Sequence, residues 1–319
     1  MYILTGFSDA ESCFSLSIRN KRNSKNIVKL IIEPEFQIGL NRKDEGLLKL
    51  IKASFECLGG LELSGGKVGR IQTDKNKSFY RVTSVSGLAK LIDHFDKYPL
   101  LTKKRKDYLI WREVVLMMQR GEHQTDEGIR NIVKLKSVLN LGLSAKLRKE
   151  FNITSEEVEA VAKYKSVLGN EEFALNTQWI AGFTSGEGNF MIGLKKEGKL
   201  GKTPQLRFQL SQHVRDEEFF RRLVSYFGCG KVYTCISNKR QAVEYSVQNF
   251  AENIEKIIPL FRNNPILGVK ALDFADWAAA GEIMKVKWHL TTEGLDKICK
   301  LKAGMNKERN INISNYNED

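Results

Sequence analysis

The chain has 319 residues and a formal net charge of +13 at pH 7, which favours a polyanionic partner such as nucleic acid, with a basic but merely soluble protein as the plainer alternative. Its five cysteines form no CxxC pair and its four histidines are scattered, which argues against a disulfide framework, a structural zinc site and a histidine-based nuclease cluster. Because no apolar run approaches the ~18 residues of a membrane span and no signal-peptide pattern opens the chain, we expect neither membrane insertion nor secretion.

The first predicted element is a short helix with the sequence LTGFSDAE, which ends at Glu11. Gly6 and Ala10 lie four residues apart in it. On a helix this spacing makes a flat strip where the backbone of another helix can approach closely.

Strict alternation of apolar and polar residues follows this helix at 14–21 and again at 29–40. Such alternation predicts strands of a sheet with one face in the core and the other in solvent. Helices predicted at 44–55, 86–98 and 102–119 would cover the apolar face, which makes this part of the chain α+β.

A connector is predicted at 153–176. Its sequence TSEEVEAVAKYK is typical of a capped helix that begins at Thr154 or Ser155. The polar end of the chain, 308–319, is predicted to be a disordered tail.

The second part of the chain repeats the first. IAGFTSGE, which ends at Glu187, matches the first helix at an offset of 176, and two later blocks match at offsets of 172 and 166. Alternation returns at 189–195 and 205–211, followed by predicted helices at 216–227 and 250–261. We therefore predict a tandem duplication with an N-terminal half at 1–152 and a C-terminal half at 177–307.

The solvent-facing sides of the predicted strands are rich in arginine, lysine and glutamine, which read guanine and adenine edges in the major groove; glutamate can accept from cytosine. Serine and asparagine suit phosphate or water-mediated contacts. We predict DNA contact by Ser15, Ser17, Arg19, Lys21, Lys29, Glu33, Glu35, Gln37, Arg70, Gln72, Arg81, Thr83, Asn189, Lys195, Gln205, Arg207, Gln209, Ser211, Lys231, Tyr233 and Lys239.

The two repeated helices each end in a glutamate. If they pack strip to strip, Glu11 and Glu187 lie side by side, where like charges and the negative helix ends repel unless a cation binds. Carboxylate oxygens with few other protein ligands suit Mg²⁺, which also takes phosphate oxygens, and this is the arrangement of metal-assisted phosphodiester hydrolysis. The alternative is a pair of close-packed helices whose glutamates are simply solvated.

LTGFSDAES and IAGFTSGEG resemble the two signature helices of single-chain LAGLIDADG homing endonucleases, and WIAGFTSGEG is similar to the fungal organellar branch of that family. The resemblance covers the chain from Tyr2 to about Met305. It implies a pseudo-twofold monomer of two αββαββα halves, whose antiparallel sheets form a saddle on a DNA target of ~20 bp. It also implies hydrolysis of both strands with short 3′ overhangs.

The family's metal-binding acid falls on Glu11 and Glu187, and we expect the backbone carbonyls of Ala10 and Gly186 to assist as ligands. The resemblance assigns a catalytic basic residue to Lys104 and Lys270 and a solvent-ordering glutamine to Gln212. Two positions of the first half depart from the pattern. Leu40 stands where the glutamine is expected, so the two strands need not be cut at equal rates, and Ser12 replaces the motif's last glycine. Since Lys104 lies in KKRK, simple phosphate contact by this run is an equal alternative to a catalytic role.

The expected cofactor is Mg²⁺, with Ca²⁺ supporting binding without cleavage and Mn²⁺ able to substitute. The expected partner is double-stranded DNA, with no membrane and no protein partner, and the resemblance places the protein in mitochondria. Two rival functions on the same scaffold are an intron-splicing maturase and a non-cutting DNA-binding protein. The presence of both glutamates argues against each.

Overall fold

The computed structural model describes residues 1–22, 28–57, 68–198, 200–237 and 240–306. The predicted tail at 308–319 and Lys239 lie outside these residues, and so do the side chains of Lys21 and Lys29.

The chain forms two compact units, which do not coincide with the repeats. Residues Met1–Ala10 belong with the part of the chain from Ala174 onward, while Glu11–Phe173 form the other unit. Helix α1 (Tyr2–Glu11) is the first element of the first repeat. All of it except Glu11 nevertheless belongs to the unit that the second repeat forms. The predicted halves at 1–152 and 177–307 describe the sequence repeats, and they remain a prediction.

The unit formed by Glu11–Phe173 contains one antiparallel sheet covered by helices. Its strands are β1 (Ser12–Arg22), β2 (Val28–Asn41), β3 (Arg70–Thr73) and β4 (Lys77–Val82), in the order β1-β2-β4-β3. Its helices are α2 (Glu45–Cys57), α3 (Val85–Lys97), α4 (Lys104–Gln119), α5 (Asp126–Lys136), α6 (Ala145–Glu150) and α7 (Ser155–Val167).

The other unit repeats this design. After α8 (Thr177–Glu187), its strands are β5 (Gly188–Lys195), β6 (Thr203–His213), β7 (Lys231–Ser237) and β8 (Arg240–Val247), in the order β5-β6-β8-β7. Its other helices are α9 (Glu217–Phe227), α10 (Phe250–Glu252), α11 (Ile258–Asn263), α12 (Lys270–Lys285) and α13 (Thr292–Ala303).

The predicted α+β class and the alternating strands are confirmed. Phe14, Leu16 and Ile18 are buried on the core side of β1, whereas Ser17 and Arg19 on the opposite parity are exposed. The predicted start of the connector helix is also observed, since Thr154 accepts a hydrogen bond from the Glu157 amide and the Glu157 carboxylate accepts one from the Thr154 amide, which together form a capping box.

The duplication is visible in the two cores. The Phe14 ring lies 5.3 Å from Phe36 and 5.2 Å from Trp111, and the Phe190 ring lies 5.4 Å from Phe208 and 5.3 Å from Trp277. In each unit an aromatic residue on the first strand thus contacts the second strand and the tryptophan of the long helix, as the repeated sequence blocks predict.

The helix predicted at 250–261 is instead interrupted by a π-helical turn, Asn253–Ile257. The buried Asn253 amide donates to the Leu206 and Val247 carbonyls, each at 3.3 Å, and Pro259 follows in the first turn of α11. Proline has no N–H and cannot continue the α-helical hydrogen bonds. The turn before it is therefore wider by one residue, with the Ile258 N–H bonded to the Asn253 carbonyl five residues back.

Four helices of the described residues were not predicted from the sequence, namely α5, α6, α12 and α13. Helices α5 and α13 are each capped by a threonine, Thr125 or Thr291, whose hydroxyl accepts from the backbone amide three residues on. Among the helices of the described residues, none is both long enough and apolar enough to cross a membrane.

The core of the unit formed by Glu11–Phe173 contains one buried histidine whose protonation depends on pH. His94 on α3 is 3% exposed, and its ring meets Phe55 at 5.3 Å and Phe95 at 5.0 Å. Burial disfavours the charged imidazolium and lowers the pKa of His94 from 6.5 to about 4.

We predict that this histidine makes the folded protein sensitive to mild acid. Between pH 6.5 and 4 the unfolded chain takes up a proton that folded His94 does not, so stability is full above pH 6.5 and is lost as pH falls, by at most about 3 kcal/mol. The measurement is urea unfolding across this pH range for the wild type and His94→Leu. The variant should lose most of the slope, and an unchanged slope would contradict the prediction.

Candidate active site and polar sheet faces

Helices α1 and α8 pack backbone to backbone. A Cβ atom added to Gly6 would lie 2.0 Å from the Trp179 carbonyl oxygen, and one added to Gly182 would lie 2.0 Å from the Ile3 carbonyl oxygen. These contacts are too short for any side chain, so glycine is required at both positions. The backbones of α1 and α8 thus come into contact at Gly6 and Gly182, which belong to the small-residue strips predicted from the sequence.

A buried polar contact accompanies the two glycines. The Trp179 indole Nε1 donates to the Asp9 carboxylate at 3.1 Å, and Asp9 is fully buried. Since a buried charge without a partner is costly, this bond fixes how α1 lies on α8. The two helices end at Glu11 and Glu187.

The surroundings of Glu187 include Gln212 near the end of β6. The Gln212 Nε2 donates to Glu187 Oε1 at 3.2 Å, and the Gln212 Oε1 accepts from the His213 amide at 2.9 Å. The His213 amide can only donate, so it fixes which end of the glutamine amide faces the carboxylate. Glu187 itself is half-buried.

Lys270 is the first residue of α12, and its ammonium group donates to the Gly186 carbonyl. The loop before α12 is attached to α8 by Ser185, whose hydroxyl donates to the Ala181 carbonyl at 2.7 Å and accepts from the Leu267 amide at 2.8 Å. Glu187, Gln212, Lys270 and Gly186 are therefore brought together at the end of α8.

The donor chemistry around Glu187 suits a hard divalent cation. The carboxylate and the Gly186 carbonyl offer oxygen ligands, which Mg²⁺ and Ca²⁺ prefer, and a carbonyl oxygen has two lone pairs, so its bond to Lys270 leaves one. Within the described ranges, no group of three or more histidine, cysteine, aspartate or glutamate side chains could hold a metal ion.

The corresponding positions of the first repeat differ. Lys104 again begins a long helix, α4, with its amide bonded to the Thr102 hydroxyl at 3.2 Å. Leu40 lies on β2 opposite Ser78 and offers no amide group at the place of Gln212. Cys13, an exposed residue that is not among the predicted site residues, lies two residues after Glu11, and its thiol is 3.9 Å from the Asn140 side-chain oxygen.

On the polar face of the sheet that begins with β5, three side chains form a network. The Asn189 amide donates to Gln209 at 3.1 Å, and the Gln209 amide donates to Glu244 at 2.7 Å. Gln209 is only 8% exposed, and neighbouring polar side chains cover it. Glu244 was missed, although the alternation of β8, where Val243 and Tyr245 are buried, could have shown that it shares this face.

On the polar face of the sheet that begins with β1, Arg19 and Glu33 form an exposed ion pair at 2.7 Å. The Arg81 guanidinium lies 5.1 Å from the centre of the Phe79 ring, which covers Gly39. Phe79 is thus an apolar surface within a polar face, and the alternation does not predict it.

The other predicted contact residues differ in exposure. Ser15, Glu35, Gln37, Arg207 and Ser211 are half-buried, whereas Ser17, Arg70, Gln72, Thr83, Lys195, Gln205, Lys231 and Tyr233 are exposed.

Comparison with known proteins gives concordant matches. A family model described as LAGLIDADG endonuclease matches residues 4–115 and 180–280. A Neurospora crassa protein named "Probable intron-encoded endonuclease 3" is 33% identical over 94% of this chain, which spans about half (53%) of that relative's length.

Two solved structures are similar to nearly the whole chain. The homing endonuclease I-GzeII in complex with its DNA target is 32% identical, with a TM-score of 0.81 over 97% of this chain and 99% of that one. I-SmaMI bound to uncleaved DNA in the presence of calcium ions is 35% identical, with a TM-score of 0.80 over 96% and 98%.

We predict that Ser185→Ala lowers the free energy of unfolding by about 1–3 kcal/mol, because the Leu267 amide loses its partner. The control is Ser54→Ala, which removes a similar bond to the carbonyl four residues back at an exposed site and should cost less than about 0.5 kcal/mol. Urea unfolding measures both. Equal losses would show that Ser185 does not hold the loop before Lys270.

Proposed function

The chain belongs to the LAGLIDADG endonuclease family, and we propose that it is a site-specific endonuclease that cuts both strands of a long DNA target. The observation that carries the proposal is the group at the end of α8, where Gln212 contacts Glu187 and Lys270 contacts Gly186. The proposed target is about 20 bp long and the proposed products carry short 3′ overhangs.

Glu11 and Glu187 are proposed as the metal-binding carboxylates, one from each repeat, assisted by the Ala10 and Gly186 carbonyls. A bound Mg²⁺ would supply charge stabilisation at the scissile phosphate. Ca²⁺ is proposed to support binding without cleavage, and Mn²⁺ to replace Mg²⁺. The oxygen donors at Glu187 and Gly186 support this choice of cations.

Gln212 is proposed to order water beside Glu187. Its oxygen is engaged by the His213 amide, so its two N–H donors serve the carboxylate and one further acceptor. Lys270 donates to the Gly186 carbonyl, and its ammonium group is proposed to face phosphate or water. Lys104 is proposed for the same role in the first repeat, where Leu40 supplies no amide and the cutting rate of one strand is expected to differ.

The polar sheet faces are proposed to bind the DNA, which the net charge of +13 supports. Arg70, Lys195, Lys231 and their exposed neighbours are the simplest contacts. Arg19 would bind together with Glu33 or exchange it for phosphate, since an exposed ion pair is worth at most about 1 kcal/mol. The protein is proposed to act as a monomer without a protein partner, and in mitochondria, as a fungal intron-encoded relative suggests.

We predict that Glu187→Gln abolishes Mg²⁺-dependent cutting but retains DNA binding in Ca²⁺, because the amide keeps the shape and loses the charge that a divalent ion requires. Cleavage selection on a plasmid library first supplies the target site, and plasmid linearisation and a binding titration then measure both properties. Glu11→Gln should behave likewise. Glu159→Gln, at an exposed position of α7, is the matched control and should cut like the wild type.

Other outcomes would identify the rival functions. A wild-type protein that binds a selected DNA site but never cuts it in Mg²⁺ would be a non-cutting DNA-binding protein. One that binds only its intron RNA would be a maturase. Retained cutting by Glu187→Gln would remove that residue from the proposed metal site.

A further inference from the structure

A fourth repeated block lies in the last part of each half. TDEGIRNIVKLKSVLN at 125–140 matches TTEGLDKICKLKAGMN at 291–306 at an offset of 166, which is the offset of the preceding block. The last residue of each is an asparagine with positive φ, 49° at Asn140 and 59° at Asn306. Positive φ is uncommon outside glycine, and asparagine tolerates it because its short side chain bonds locally.

In the first half the side chain of Asn140 contacts β1, the strand that follows Glu11. The Asn140 Nδ2 donates to the Phe14 carbonyl at 2.9 Å. Phe14 lies three residues after Glu11 on β1, which is the edge strand of its sheet and has a neighbouring strand on one side only.

The second half has the same contact and one more. The Asn306 Nδ2 donates to the carbonyl of Phe190, three residues after Glu187 on the edge strand β5, at 3.3 Å. The backbone N–H of Asn306 also donates to Asp273 at 3.0 Å, and Asp273 is 7% exposed and lies three residues after Lys270 on α12. One residue therefore joins the strand that leaves the glutamate to the helix that begins with the lysine.

We propose that Asn140 and Asn306 are positioning residues for the cleavage reaction, each holding the strand edge behind the glutamate of its own half. The inference rests on the proposed function. Neither residue needs to touch DNA. Each acts by keeping the first strand, and with it the glutamate three residues earlier, in register, since a displacement of about 1 Å can cost about 100-fold in rate.

The test uses Asn→Gly variants, because glycine keeps the left-handed backbone and removes only the side-chain amide. The full-length protein is assayed in Mg²⁺ on a supercoiled plasmid that carries the selected site, with each strand labelled. Asn306→Gly should slow the cutting of one strand at least about tenfold, so that nicked circles accumulate, and Asn140→Gly should slow the other strand. DNA binding in Ca²⁺ should be unchanged in both.

Two controls separate positioning from general stability. Asn152→Gly makes the same change at φ 46° with an exposed side chain and should cut both strands like the wild type. Asn306→Asp keeps the shape and removes the donor, so it should nick as Asn306→Gly does. Thermal unfolding of all four variants shows how much stability each has lost.

Wild-type rates on both strands for Asn306→Gly, or equal slowing of both strands in step with the loss of thermal stability, would overturn the inference. These results leave the proposed function intact. A wild-type protein that cuts no selected site would overturn the proposed function and this inference with it.

Discussion

The constraint on which the structure most depends is the contact between the backbones of α1 and α8. There is no room for a Cβ atom at Gly6 or Gly182. The buried hydrogen bond between Asp9 and Trp179 fixes the orientation of one helix relative to the other. Because the partners are at least 170 positions apart in sequence, the first ten residues cannot complete their packing until the second repeat is in place. The opening helix of one repeat is thereby committed to the unit built by the other.

The end of α8 shows how a tightly packed helix organises a reactive group. Ser185 attaches the loop that leads to Lys270, and the His213 amide orients Gln212 toward Glu187, so the neighbours of the carboxylate are held by backbone hydrogen bonds. A carboxylate at the negative end of a helix is unfavourable by itself. The proposed divalent ion, together with the Lys270 ammonium, would supply the compensating positive charge.

The sequence predicted the features that depend on local periodicity or on the repeat itself. The strands, the capped helix at Thr154 and the glutamate-ended helices follow from alternation, capping and duplication. Features that depend on distant partners were not predictable in this way. The burial of Gln209 arises from cross-strand neighbours, and Ser185 meets a loop 82 residues further on. Asn140 and Asn306 occupy equivalent positions of the fourth repeated block, which the sequence shows. Their role is indicated only by their contacts with the strands, which the sequence does not show.

The most direct test of the helix contact compares three glycine-to-alanine variants by urea unfolding. Gly6→Ala and Gly182→Ala should each lower the free energy of unfolding by at least about 3 kcal/mol, because the new methyl group meets a rigid carbonyl. Gly46→Ala, in α2 with open space around it, should be neutral or stabilising by up to about 1 kcal/mol. If Gly6→Ala and Gly182→Ala are as stable as Gly46→Ala, the backbone contact does not hold these helices together.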